Sequence, residues 1–179
     1  MIAFPDKKYN IIYADPAWHF KNYSNKSSNH KLSYPTMSMQ DIKDLPVQNI
    51  ADKDCVLFLW VTDPLLNKQI QVIEAWGFTY KTVGFYWVKE NKNQENNKYY
   101  HRSGYWTRGN PEICLLATKG KPKRIDTNIH KLTFSIRERH SKKPDVIRTK
   151  IVKLLGDLPR IELFARERVD GWDSWGNEV

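Results

Sequence analysis

Two cysteines among 179 residues are too few for a disulfide scaffold. Both, Cys55 and Cys114, lie inside apolar runs, so they read as buried reduced thiols of a cytoplasmic protein. No apolar run approaches the ~18 residues needed to cross a bilayer, and the N-terminus does not read as a signal peptide. Glycine is sparse, with eight residues and no Gly-x-Gly-x-x-Gly, so the usual nucleotide fingerprint is missing. The five histidines share no metal-ligand spacing with each other or with the cysteines, and no metal is expected. Repeats and a convincing linker are also lacking. One domain over residues 1–179 is the expectation.

What is present is charge, unevenly placed. The chain carries a net +9, and residues 89–153 alone hold 17 Lys/Arg against 6 Asp/Glu. The remainder is slightly acidic, so one segment supplies the whole excess. A solvated lysine face would account for it; an anionic partner, nucleic acid first, would too.

The chain is organised around Ile11-Ile12-Tyr13-Ala14-Asp15-Pro16-Ala17-Trp18. Its apolar start reads as a buried strand that stops at Asp-Pro, where proline removes a donor and restricts its predecessor. Ligands of open α/β sheets bind just outside strand carboxyl ends, which is where this acid and indole would emerge. An exocyclic amine of a nucleobase is a poor nucleophile because its lone pair is delocalised into the ring. Acceptors on its N–H groups, here the Asp15 carboxylate and the Pro16 carbonyl, would make it reactive and stabilise the arriving positive charge. Trp18 would offer a face for a flipped base, although a strand followed by a turn with Trp18 in the core explains the same letters.

Further elements follow in order. Phe20 to Leu32 is a polar loop, and Ser38 with Asp41 starts a short helix to about Leu45. Cys55–Val61 reads as a central strand. Asp63 is expected to cap a helix with Pro64 first and Gly77 past its end. Thr79–Val88 and Glu112–Ala117 read as strands, separated by an irregular loop over 89–111 that interleaves aromatics with cations. The region up to His140 has no clear reading. Pro144 opens a helix closed by Gly156, Arg160–Phe164 is a last strand, and the tail is irregular. The alternation predicts a largely parallel sheet with helices on both faces.

Taken together, these blocks resemble the adenosine N-6 methyltransferases typified by the catalytic subunit of the eukaryotic mRNA adenosine methyltransferase. The resemblance runs in order over nearly the whole chain. It rests on Tyr13–Trp18, Tyr34-Pro35-Thr36-Met37, Leu57–Thr62, Trp87-Val88-Lys89 and Gly104-Tyr105-Trp106 with Glu112–Gly120. It continues through Ser141–Asp145, Ile161–Arg166, and Trp172 with Gly176-Asn177. Ala17 departs from it, standing where the family's motif has a second proline.

The resemblance implies an α/β, Rossmann-like methyltransferase fold of permuted order, with the catalytic strand early. It implies S-adenosyl-L-methionine as cofactor, with Asp15, Pro16, Ala17, Trp18 and Tyr34 as the catalytic set. Asp15, Ser141, Lys143, Glu162, Phe164, Arg166, Asn177 and Glu178 would hold the cofactor, Lys143 taking its carboxylate. Residues 89–140 would supply substrate-binding loops, with Arg102, Tyr105, Trp106, Arg108, Lys121, Lys123 and Arg124 on nucleic acid. The implied reaction is methylation of the 6-amino group of adenine, in DNA before RNA. A catalytically silent binding module of the same fold, or an RNA adenosine methyltransferase, are the alternatives.

Overall fold

The computed structural model describes residues 2–19, 36–93, 95, 98–104, 106–138 and 141–179. The expected polar loop, Tyr34, Tyr105 and His140 lie outside the described residues. Seven strands form one sheet: β1 (Tyr9–Ala14), β2 (Ala51–Val61), β3 (Thr79–Glu90), β4 (Glu112–Lys119), β5 (Leu132–Ile136), β6 (Arg160–Leu163) and β7 (Asp173–Trp175). Their order across the sheet is β5-β3-β4-β2-β1-β6-β7. The sheet is mixed, because β4 runs antiparallel to both β2 and β3. The remaining ladders, β1 with β2 and β6, β3 with β5, and β6 with β7, are parallel. Four of the six ladders are thus parallel, in keeping with the expectation of a largely parallel sheet, and antiparallel β4 is what makes the sheet mixed. β3 ends and β4 begins at the same edge of the sheet, so β4 runs back alongside β3 and pairs with it antiparallel.

The described residues include three α-helices: α1 (Met39–Lys43), α2 (Leu66–Ala75) and α3 (Asp145–Leu155). Ser38 and Asp41 form the predicted capping box of α1. Asp63 does not cap α2; it lies in a 3-10 turn, Asp63–Leu65, that precedes the helix. Gly77 at φ +79 and Gly156 at φ +94 follow α2 and α3 as anticipated.

Strand alternation sorts the core into two layers. Ile12, Ala14, Leu57 and Leu59 pack with Ile42, Ile73 and Trp76 from α1 and α2. Ile11, Tyr13, Phe58 and Trp60 pack with Ile147, Ile151 and Leu155 from α3. The Trp76 indole N–H donates to the Ile42 carbonyl at 2.9 Å and ties α2 to α1. Cys55 and Cys114 are free and buried. Two elements were not legible: β5 falls in the unread region, and β7 in the tail taken as irregular. Both are short edge strands, whose pairing comes from neighbours more than from their own pattern.

Candidate active site

β1 is central, paired with β2 at Ala14↔Leu59 and with β6 at Ala14↔Leu163. Its end therefore places Asp15 at the carboxyl edge of the sheet. The Pro16 carbonyl accepts the Trp18 backbone N–H at 2.8 Å, and the Ala17 carbonyl accepts that of Met37 at 3.0 Å. Trp18 is only 6% exposed and belongs to the core layer of α1 and α2. Its indole N–H donates to the Trp60 carbonyl at 3.0 Å. The chain is thus turned sharply after Asp15, and Trp18 pins the turn.

Asp15 accepts from the Lys143 ammonium at 2.6 Å, across 128 residues of sequence. The same ammonium lies 3.4 Å from Glu112, and Lys89 donates to the other Glu112 oxygen. A chain of alternating charge therefore runs Asp15–Lys143–Glu112–Lys89. Burial pushes the Asp15 carboxyl up, and the Lys143 cation pulls against it. Burial also works against Glu112, but Lys143 and Lys89 together hold it down at about 2. For Lys143, burial opposes the charge, yet the two carboxylates raise it above its ordinary value. The lysine stays an ammonium. Neither Glu112 nor Lys89 was foreseen as part of this site. Lys89, the first cation of the basic segment, is 9% exposed and committed to Glu112.

A second pair stands beside the first. Arg148 grips Glu162 with two hydrogen bonds, 2.7 and 3.0 Å long, and also reaches Asp145. Burial raises the Glu162 carboxyl and Arg148 counters it. Arg148 was missed because a cation on an apolar helix face looks solvent-directed until the partner strand is known. Ser141 and Phe164 adopt φ of 68° and 63°, the left-handed region that residues with side chains avoid. Both line a cleft, open to solvent, together with Asp15, Lys142, Lys143, Arg148, Glu162, Arg166 and Glu167. Six of the eight cofactor candidates therefore meet in one place. Glu178 is joined to the cleft by a 2.7 Å ion pair with Arg166, and Asn177 precedes it on the exposed surface.

The nucleic-acid candidates divide. β3 ends and β4 begins at the Asp15 edge, so the loop over 91–111 with Arg102, Trp106 and Arg108 rises there. Lys121, Lys123 and Arg124 follow the far end of β4. Seven residues of strand separate Glu112 from Lys119, about 24 Å at the usual rise. Gly120 lies against the Lys53 carbonyl, and the Lys121 N–H donates to Asp54. The structure does not bring these three cations to Asp15. Among the described residues no group of His, Cys, Asp and Glu could hold a metal ion. Nor is any described helix long and apolar enough to cross a membrane.

An acid delivered by a central strand, a lysine clamped between carboxylates and a cleft at the carboxyl edge define an α/β enzyme site. The chain belongs to the MT-A70 family, whose model matches residues 9–178. This is a family of S-adenosylmethionine-dependent adenine N-6 methyltransferases, which implies S-adenosylmethionine as cosubstrate. The Type II methyltransferase M.MunI of a Mycoplasma species is 36% identical, over 98% of this chain and 79% of its own length. The Arabidopsis thaliana N(6)-adenosine-methyltransferase MT-A70-like protein is 31% identical over 96% of this chain. The human N(6)-adenosine-methyltransferase catalytic subunit METTL3 is 28% identical, again over 96%. This chain spans 24% and 28% of those two eukaryotic proteins.

Proposed function

We propose that this chain transfers the methyl group of S-adenosylmethionine to the 6-amino group of adenine in DNA, on a permuted Rossmann-like fold. The observation that carries this reading is the single cleft in which Asp15, Ser141, Lys143, Glu162, Phe164 and Arg166 meet. Its donor set suits the cosubstrate: an ammonium for a carboxylate, an acid for hydroxyls, and an aromatic ring beside a guanidinium for a base. DNA is favoured over RNA because the relative matched over most of its own length is a type II methyltransferase.

When bound, S-adenosylmethionine supplies an electrophilic methyl group. Lys143 holds the carboxylate of the cosubstrate, while Glu112 keeps the ammonium aimed and charged. Glu162, fixed by Arg148, faces the ribose hydroxyls, with Phe164 and Arg166 beside the base. Asp15 accepts an N–H of the target amine and draws density onto its nitrogen. The Pro16 carbonyl accepts the other N–H with the lone pair that Trp18 leaves over. The amine would attack in line as the methyl–sulfur bond breaks, its surplus proton passing to solvent, and no covalent intermediate on the protein is required. Trp18 serves by pinning the turn that aims Asp15 and Pro16.

Incubation with labelled S-adenosylmethionine and a panel of duplex DNA, single-stranded DNA and RNA tests this, with nucleosides analysed afterwards. N-6-methyladenine in the DNA is the expected product. Methyl transfer to another atom, or to none of the polymers, would overturn the reading. Calorimetry supplies a separate check: Lys143→Ala should weaken cosubstrate binding by about tenfold or more.

A further inference from the structure

The described residues between β3 and β4 are fastened to one another and to the sheet at several points. Arg102 and Gly109 exchange both backbone hydrogen bonds, at 2.9 and 3.2 Å, which closes a hairpin-like tip. Below it the Asn110 side chain donates to the carbonyls of Lys89 and Tyr100, and its oxygen accepts the Lys89 N–H at 2.9 Å. The Arg137 guanidinium lies 4.0 Å from the centre of the Tyr100 ring and braces the base from the β5 side. Within the tip, a Cβ on Gly104 would meet the Thr107 carbonyl oxygen at 2.0 Å, so this turn admits only glycine. The fastened tip presents Trp106, 91% exposed, with exposed Arg102 and Arg108 on the two flanks. It stands at the same sheet edge as Asp15.

We infer that Trp106 is a wedge that enters a DNA duplex beside the target adenine and holds open the gap left when the base turns out. This rests on the proposed methylation of adenine in DNA. The chemistry is that of apolar side chains inserted between base steps, which offset the cost of unstacking. Arg102 and Arg108 contact phosphates on either side of the insertion. No bond is made or broken by the wedge; it acts on the pairing equilibrium of the substrate.

The test uses the full chain and a duplex fragment carrying an adenine that wild type methylates. The target is presented opposite thymine, opposite an abasic position, and in a single strand. Trp106→Ala should lose about tenfold or more in turnover on the paired duplex, the equivalent of one weakened unstacking step. The deficit should shrink to within about threefold opposite the abasic position, where no pair has to open. Gly104→Ala, which displaces the tip but keeps the indole, should show the same dependence on pairing. Unchanged S-adenosylmethionine affinity in both variants, measured by calorimetry, verifies that the cleft is intact. Equal deficits on paired and unpaired targets, or no deficit on either, would overturn the wedge. Wild type that methylates single strands but no duplex would overturn it too, while leaving the proposed activity standing. Wild type that methylates no adenine at all would sink the activity and the wedge together.

Discussion

Glu112 sits between two ammonium groups, and its depressed carboxyl, at about 2, makes it the acid-sensitive member of the site. A folded-state value below the ordinary 4.5 means a contribution to stability that is complete above 4.5 and fades as pH falls towards 2. The shift corresponds to about 3 kcal/mol at neutral pH. Glu112→Gln should therefore flatten the acid limb of a stability-versus-pH curve between those limits, as urea melts would record. An unchanged limb would show that Glu112 does not link folding to protonation. Trp18 calls for a different measurement. Its indole is buried and bonded to the Trp60 carbonyl, so Trp18→Ala should lower stability by about 3–5 kcal/mol. Lost turnover in that variant has to be read beside its thermal melt.

The elements around the cleft end in strained turns. Ser141 just before α3 and Phe164 just after β6 both hold left-handed backbone, and these two residues line the same cleft. Such positions cost about 1–3 kcal/mol and persist because neighbours over-determine them. Here Lys143 is anchored to Asp15 two residues beyond Ser141, and Phe164 packs edge-on against Trp175 at 5.4 Å. Ser141→Gly should stay within about 1 kcal/mol of wild type, since glycine adopts this conformation freely. Ser141→Val should lose about 2 kcal/mol or more, because a β-branched side chain tolerates it worst. Thermal melts that rank the two variants the other way would reject strain as the reason. Gly176, whose Cβ would sit 2.3 Å from the Ala165 carbonyl oxygen, lets the chain after β7 run close against the residues that follow β6.

Across the molecule, the sheet separates two basic regions that are neighbours in sequence. Arg102 and Arg108 lie on the loop at the Asp15 edge, whereas Lys121, Lys123 and Arg124 follow the opposite end of β4. A duplex centred on the cleft meets the first group, and each phosphate contact adds about 0.9 to the slope of log affinity against log salt. Arg102→Ala with Arg108→Ala should therefore reduce that slope by about 1–2 in fluorescence titrations. The three cations beyond β4, changed together, should move it less. A larger change from the second group would mean that DNA wraps the far edge as well.

Most of the elements, though not β5 and β7, were legible because they depend on local patterns. The apolar run before Asp15, the i, i+4, i+7 spacing of α3 and the glycines past α2 and α3 each announce themselves over a few residues. The ordered motifs likewise named Asp15, Ser141, Lys143, Glu162, Phe164 and Arg166, which the cleft unites. Partnership across the sheet could not be read in this way. Glu112 gains its role only because antiparallel β4 begins where β1 ends, and Arg148 only because α3 crosses β6 at Glu162. For Trp18 the sequence left a base-stacking face and a core position both open, and the fold buries it in the α1 and α2 layer with its indole N–H on the Trp60 carbonyl. Sequence by itself determined the chemistry carried to the carboxyl edge. Tertiary structure decided which charges meet there and which are kept apart, because a charge's partner is set by distance in space, not along the chain.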